Sequence, residues 1–460
     1  MQHLLNSWKC RNLPLKGKIT VINTLVLSQL IYLCSIIKVP EIVYTEVKKI
    51  ILNFIWDGKA PKIAYNTLIQ GIESGGLKLI DLKTKVKSLS LNWIKRLCDT
   101  STGKWKAIPA LIYKTSDLKF FFSCNQKPFT NSIQPEFYKF IQCIWSDINE
   151  ISQQSAQIIY NQFIWNNRYI TIENRSFLWK RWKDAGINRI SDLYLNNCFI
   201  TTEELAIRYG LTVNFLELLQ IRQSIPFAWR SIIKNNTRTI TVFNEICYPE
   251  YREIKVLIKS DAKKIYTLLN NRNVIDPTCV LKWQIKYPNL NEYTWKNIYK
   301  LAFIISRETR LQSFQYKVIN RIIMCRKKLY DMRVVDSPQC LDCGGVDDLP
   351  HFLVHCGYVK DFWLSLISWL NSNLNYSLAF NEQDILFGIN DTNDRIFVAN
   401  FVILHAKYFI YKLRIQNIHT LQLVSFKSLL KYKLTIEKMI TELKTPQMFM
   451  KFLPLYNALQ

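Results

Sequence analysis

The sequence predicts a mainly α fold, a multi-segment helical protein with a small zinc-binding module near the C-terminus. Three observations carry that expectation. Apolar residues recur at helical spacing through much of the chain, Gly and Pro number only 12 and 14 in 460 residues, and three Cys and two His crowd into residues 340–356. Apolar recurrence at i, i+3, i+4 and i+7 marks amphipathic helix. Scarce Gly and Pro argue against long flexible linkers, and a 49% hydrophobic content argues against disorder.

The elements follow in chain order. Trp8, Leu13, Leu15 and Ile19 lead into an uncharged run over 19–37, read as a buried helix that Pro40 ends. Its Thr20, Asn23, Thr24, Ser28, Gln29 and Ser35 make it a poor membrane span. Val43, Val47, Ile50, Ile51, Phe54 and Ile55 form a second apolar stripe that stops near Asp57-Gly58. Gly75-Gly76 mark a tight turn before the alternating Leu77, Leu79 and Leu82. Lys83, Lys85, Lys87, Lys95 and Arg96 decorate a further helix. Residues 1–104 thus read as one helical region. Residues 105–294 read as a helical connector, with polar connections at 115–131 and 235–241 and a charged, Trp-bearing helix over 175–182 that Gly186 closes. From Trp295 one long basic helix is expected to reach about Tyr330, opening a third region over 295–400. The last region, 401–460, shows helical spacing over 401–415 and 421–443 and carries nine basic residues against two Glu.

Charge narrows the function. The chain carries 61 Lys and Arg against 35 Asp and Glu, a net +26. Residues 331–400 alone carry a net −7, so the rest carries +33. Such an excess favours a polyanionic partner, RNA or DNA, through counterion release and with little sequence preference. Phosphate contacts are expected from Arg307, Arg310, Lys317 and Arg321 along the basic helix, with Arg326, Lys327 and Lys328 closing it. Neither a membrane nor a small-molecule substrate is expected as a partner. No signal peptide opens the chain, and nine Cys scattered from Cys10 to Cys325 read as reduced thiols of a nuclear or cytoplasmic compartment.

One motif carries specific chemistry. Residues 340–356 give C-x2-C-x7-H-x4-C through Cys340, Cys343, His351 and Cys356. Paired Cys two apart can face one ion from a tight knuckle, to which Gly344-Gly345 give turn freedom, while Pro350 opens a short helix bearing His351. Four protein ligands leave no open position, so one structural Zn2+ is expected. Spacing alone leaves the fourth ligand open between Cys356 and His355, because His355 shares a helix face with His351. The adjacent Asp347-Asp348 reads as a solvated loop rather than a catalytic pair.

This motif and its surroundings resemble the C-terminal zinc region of reverse transcriptases from LINE-type, non-LTR retrotransposons. The aromatic helix with Phe362, Trp363 and Trp369 and the block Asp384-Ile385-Leu386-Phe387-Gly388-Ile389 are similar to that family too. At the other end, Trp8 to Ile19 (WKCRNLPLKGKI) resembles the segment beyond the family's polymerase palm, in the thumb. Phe54-Ile55-Trp56-Asp57-Gly58-Lys59, and Gly75-Gly76-Leu77 with Asp81-Leu82, match further blocks in the same order. The middle resembles the family only around Trp182-Lys183-Asp184-Ala185-Gly186-Ile187. The resemblance implies a thumb-to-zinc portion of such a polyprotein that grips nucleic acid, and it favours Cys356 as the fourth ligand. The palm's Tyr-x-Asp-Asp carboxylates, which would converge on Mg2+, have no counterpart. The His outside the zinc loop are only His3, His405 and His419, and they offer no nuclease arrangement. The expectation is therefore a non-catalytic nucleic-acid-binding fragment that begins inside the thumb, a truncated element copy. A zinc-stabilised helical scaffold that binds a protein partner is the alternative.

Overall fold

The computed structural model describes residues 1–99, 103–113, 118, 135–148, 156–160, 162–167, 169–195, 197–235, 261–271, 274–374, 377–391, 393–418, 420–444 and 449–460. The polar connections expected at 115–131 and 235–241 lie outside them, apart from residues 118 and 235. The fold is mainly α, as the sequence predicts. Among the described residues the only strands are the two-residue pair Tyr194–Leu195 and Cys198–Phe199. The chain divides into two compact units, one of Met1–Ser28, Thr45–Ile80 and Asn273–Gln460, the other of Gln29–Tyr44 and Asp81–Arg272.

The first unit is organised around the helix Asp394–Ile415. Every residue from Val398 to Lys407 is buried, so this helix is enclosed on all sides rather than striped. The helices Glu292–Ile305, Thr309–Ile319 and Leu423–Lys444 pack against it. Its division across residues 400 and 401, where the sequence suggests a region boundary, leaves both halves in one hydrophobic core that runs from Cys279 to Leu455. Burying each large apolar side chain there contributes roughly 1.5–3 kcal/mol. At the other end of the same unit, Leu15–Val21 packs on Thr309–Ile319, and the Lys16 amide donates to Ser313 Oγ at 3.0 Å.

The turn at Gly75-Gly76 forms as predicted. Leu77, Leu79 and Leu82 are buried, and the amides of Leu77 and Leu79 both donate to Leu68 O at 3.1 Å. Gly76 is required by space, because a Cβ there would lie 2.1 Å from Gln70 O. The helix Glu41–Ile55 also ends where expected, at positive φ on Asp57 and Gly58.

Three expectations need correction. The single helix from Trp295 to Tyr330 is three helices, Glu292–Ile305, Thr309–Ile319 and Arg326–Asp331. The first break is at Ser306, whose extended backbone is held locally: its Oγ accepts the Glu308 amide at 3.1 Å and its carbonyl accepts Gln312 Nε2 at 2.7 Å. The second is a Schellman cap, with Ile322 N to Lys317 O at 3.0 Å and Arg321 left-handed at φ 54°. The run over 19–37 is helical only to Cys34, with a π-helical turn at Ile22–Val26. Its second half is mostly not buried: Tyr32, Leu33, Ile36 and Ile37 are exposed, while Cys34 is buried. Finally, the helix expected over 175–182 is only Lys180–Asp184, because Arg175 instead pairs with Ile172 in a β-bridge. Two stretches, Leu15–Cys34 and Asp394–Ile415, are long and apolar enough by length and composition to cross a membrane; the second is mostly buried in the core.

Among the described residues, the second unit has two apolar clusters. One surrounds Trp182, fully buried, whose Nε1 donates to Glu217 Oε1 at 2.7 Å. The other lies where Leu82–Cys98 meets Glu136–Ile148 and Ala262–Asn271. Asp81 caps the first of these helices by accepting the Thr84 amide at 2.8 Å.

Candidate metal centre and cationic cleft

The knuckle folds as its residues dictate. Gly344 takes φ 73°, and the turn closes through Gly344 N to Cys340 O at 3.0 Å and Cys340 N to Gly345 O at 2.7 Å. A bridge between Gln339 and Val346 holds its base. Asp348 Oδ1 accepts the His351 amide at 2.8 Å, starting the turn that carries the histidine. That turn is π-helical over His351–His355, with Cys356 N bonded to His351 O at 3.1 Å. The wider turn delivers Cys356 to the same point as the knuckle.

The result is a four-ligand cluster. One ligand atom from each of Cys340, Cys343, His351 and Cys356 lies within 4.8 Å of the others, a set that can hold a metal ion. Cys343 Sγ sits 3.3 Å from His351 Nε2, and Cys356 Sγ sits 3.8 Å from Cys340 Sγ and 4.0 Å from Cys343 Sγ. The ambiguity over the fourth ligand resolves in the geometry. His355 is half-exposed and points to Glu382, its Nε2 3.4 Å from Oε2.

Protonation in the cluster is uneven. The Gly345 N–H, followed by the neighbouring thiols, pulls the Cys343 thiol below its ordinary range. Burial lowers His351, which favours the neutral ring that a metal ligand needs. Burial, followed by Cys340, pushes the Cys356 thiol well up. Ion binding there must therefore release a proton.

Asp347 departs from expectation. It is not solvated but 2% exposed, because Arg414 reaches it from the buried central helix. Arg414 Nη2 lies 3.1 Å from Asp347 Oδ1 and 3.5 Å from Cys340 Sγ, and Nη1 donates to Phe352 O at 3.0 Å. The guanidinium also stacks 4.2 Å from the Phe352 ring centre. Asp347 Oδ2 accepts the Arg326 amide at 3.0 Å. One carboxylate therefore ties the metal loop to two other helices.

The predicted basic stripe is dispersed by the two helix breaks. Arg307 and Arg310 are exposed, whereas Lys317 is half-buried and its ammonium pushed down by burial, then by Lys62 and Lys18. Arg321 stacks 4.7 Å over Trp283 and donates to Lys282 O at 3.2 Å. Lys327 pairs with Asp331 at 2.7 Å, and Lys328 Nζ donates to Arg321 O. What replaces the stripe is a pair of concavities in the first unit. The larger, about 790 Å³, is lined by Lys18, Lys59, Lys62, Arg310 and Lys317. Trp56, Phe314, Tyr408 and Tyr411 line it as well. The smaller, about 320 Å³, is lined by Lys62, Lys282, Arg321, Lys327 and Lys328. Lys62 borders both. Neither Arg307 nor Arg326 lines either one. Sequence reasoning missed Lys18, Lys59, Lys62 and Lys282, which no local pattern connects to residues 310–328. No protein-family model matches the chain.

Proposed function

We propose that this chain is a non-catalytic nucleic-acid-binding protein of the thumb-to-zinc portion of a LINE-type reverse transcriptase, stapled by one structural zinc ion. The single observation that carries the binding role is the larger cleft, where five cationic side chains meet four aromatic rings. Cations beside partly exposed rings, here Tyr408 and Tyr411, match the chemistry of nucleic-acid grooves, while Trp56 and Phe314 are buried in the cleft wall. Asp57 also lines that cleft but is paired with Lys18 at 2.6 Å, so its charge is already matched.

Zinc is the ion that the donor set favours. Three thiolates and an imidazole are soft and borderline ligands, typical of closed tetrahedral zinc and poor for Mg2+ or Ca2+. The ion would supply folding free energy to the loop and no reaction. Cys340, Cys343 and Cys356 are brought together as thiols and not as a disulfide, which agrees with an intracellular home.

The test of this reading is retention of RNA and single-stranded DNA on filters across a salt series. Affinity is expected to fall steeply from low to physiological salt, with little dependence on sequence. Retention of no nucleic acid, or retention indifferent to salt, overturns it.

A further inference from the structure

The smaller cavity is too crowded with positive charge to be only a wall of the cleft. Lys62, Lys282, Arg321, Lys327 and Lys328 converge on about 320 Å³, a volume at the small end of ligand sites, roughly 300–1,000 Å³. Two carboxylates share the lining: Asp331 is matched within it by Lys327, and Asp348 is turned to the His351 backbone amide. Arg321 is held in place by Trp283, and the Lys328 ammonium is anchored on Arg321 O. Lys62 and Lys282 are exposed, and their ammonium groups have no hydrogen-bond or ion-pair partner among the described residues. The crowding registers on Lys328, whose ammonium is pushed down by burial and further by Lys62, Lys282 and Arg321. Cations gathered at a concave site with free donors are poised for a compact anion of more than one charge.

We infer that this cavity binds a terminal phosphate monoester, the end of a nucleic-acid strand or a mononucleotide. A monoester carries about −1.5 to −2 at pH 7, against −1 for each internal phosphodiester, and offers three terminal oxygens to converging donors. Lys62 borders both concavities, so a strand lying in the larger cleft would reach the smaller one at its end. This inference rests on the nucleic-acid reading only for the source of the phosphate. Binding of the monoester itself does not depend on that reading.

The test uses the full chain and oligothymidylate of roughly ten nucleotides. It is supplied with a 5′-phosphate, with a 3′-phosphate, or with hydroxyls at both ends, and compared with AMP and inorganic phosphate. One phosphorylated end is expected to bind about tenfold tighter than the all-hydroxyl strand, the size of one or two charge-assisted hydrogen bonds. The double variant Lys62→Gln, Lys282→Gln should erase that preference. Lys59→Gln with Arg310→Gln, which line only the larger cleft, should weaken all three strands together and keep it. AMP that binds in wild type but not in the double variant, with no end preference among strands, identifies a free mononucleotide as the source. That result supports the site even if long RNA is not retained on filters. Equal binding of all three strands with no binding of AMP or phosphate overturns the inference. So does any preference that survives the double variant.

Discussion

Asp347 and Arg414 form a buried ion pair at 3.1 Å, with side chains only 3% and 8% exposed, immediately behind the metal ligands. Arg414 also lies 3.5 Å from Cys340 Sγ, so one guanidinium partners both the loop's carboxylate and a thiol of the cluster. Removing one member of such a pair leaves the other charge buried alone, which costs about 3–5 kcal/mol, whereas removing both together costs far less. Arg414→Met should therefore destabilise the protein by that amount in denaturant melts. Asp347→Asn with Arg414→Met should recover a good part of it. Metal affinity of Arg414→Met should fall roughly 10–100-fold, the usual effect of losing a partner of a metal ligand. Additive losses in the double variant contradict this account.

The metal ligands make a sharper forecast. Cys340→Ser and Cys356→Ala should each lose most bound zinc from reduced protein by elemental analysis, whereas His355→Ala should keep near-normal stoichiometry, because His355 faces Glu382. Zinc lost with His355 and kept without Cys356 would reverse the assignment. Since Cys356 is pushed up by burial and Cys340, zinc affinity should rise with pH through neutrality.

The central helix carries two buried bases whose titration sets a pH profile. His405 is pushed by burial, then by Lys433, to about 3. The unfolded chain takes up a proton below about pH 6.5 that the folded protein refuses, so this contribution is full above that pH and is lost as pH falls toward 3. Lys407 is pushed by burial to about 7, its Nζ donating to Gln315 Oε1 at 2.6 Å and Leu386 O at 2.9 Å. Here the unfolded lysine stays charged up to about pH 10.4, so stability should climb from pH 7 toward pH 10 with a slope of up to about 1.4 kcal/mol per unit. Lys407→Met should flatten that climb in denaturant titrations at pH 7, 8 and 9. Identical slopes in the variant and wild type rule the effect out.

Gly76 tests the turn. A Cβ at this position would meet Gln70 O at 2.1 Å and Thr67 O at 2.6 Å, both backbone atoms that cannot swing aside. Gly76→Ala should cost about 1–3 kcal/mol or more, read as a lower melting temperature. Gly71→Ala, which meets nothing within 4 Å, serves as the control.

What was legible in the sequence was local. The stop at Asp57-Gly58, the Gly75-Gly76 turn and the Cys/His framework each follow from residues close together in the chain. The helix breaks at Ser306 and Arg321 were not legible, because neither carries the Gly or Pro that punctuates a helix. Ser306 is held by Gln312, and Arg321 tolerates φ 54° with its guanidinium held against Trp283. The burial of Asp347 depends on Arg414, 67 residues away, and the cleft joins Lys18, Lys59 and Lys62 to Arg310 and Lys317 only through packing. Periodicity reports a face, not its partner, which is also why the second half of the run to Ile37 looked buried and is mostly not.

The measurement closest to the central claim is the salt dependence of RNA affinity in wild type and in Lys59→Gln, Lys62→Gln, Arg310→Gln. All three cations line the larger cleft and are exposed, so the variant should fold normally. If phosphates lie in that cleft, the slope of log affinity against log salt should flatten by up to about three, roughly one for each lost contact. An unchanged slope in a folded variant would contradict the account.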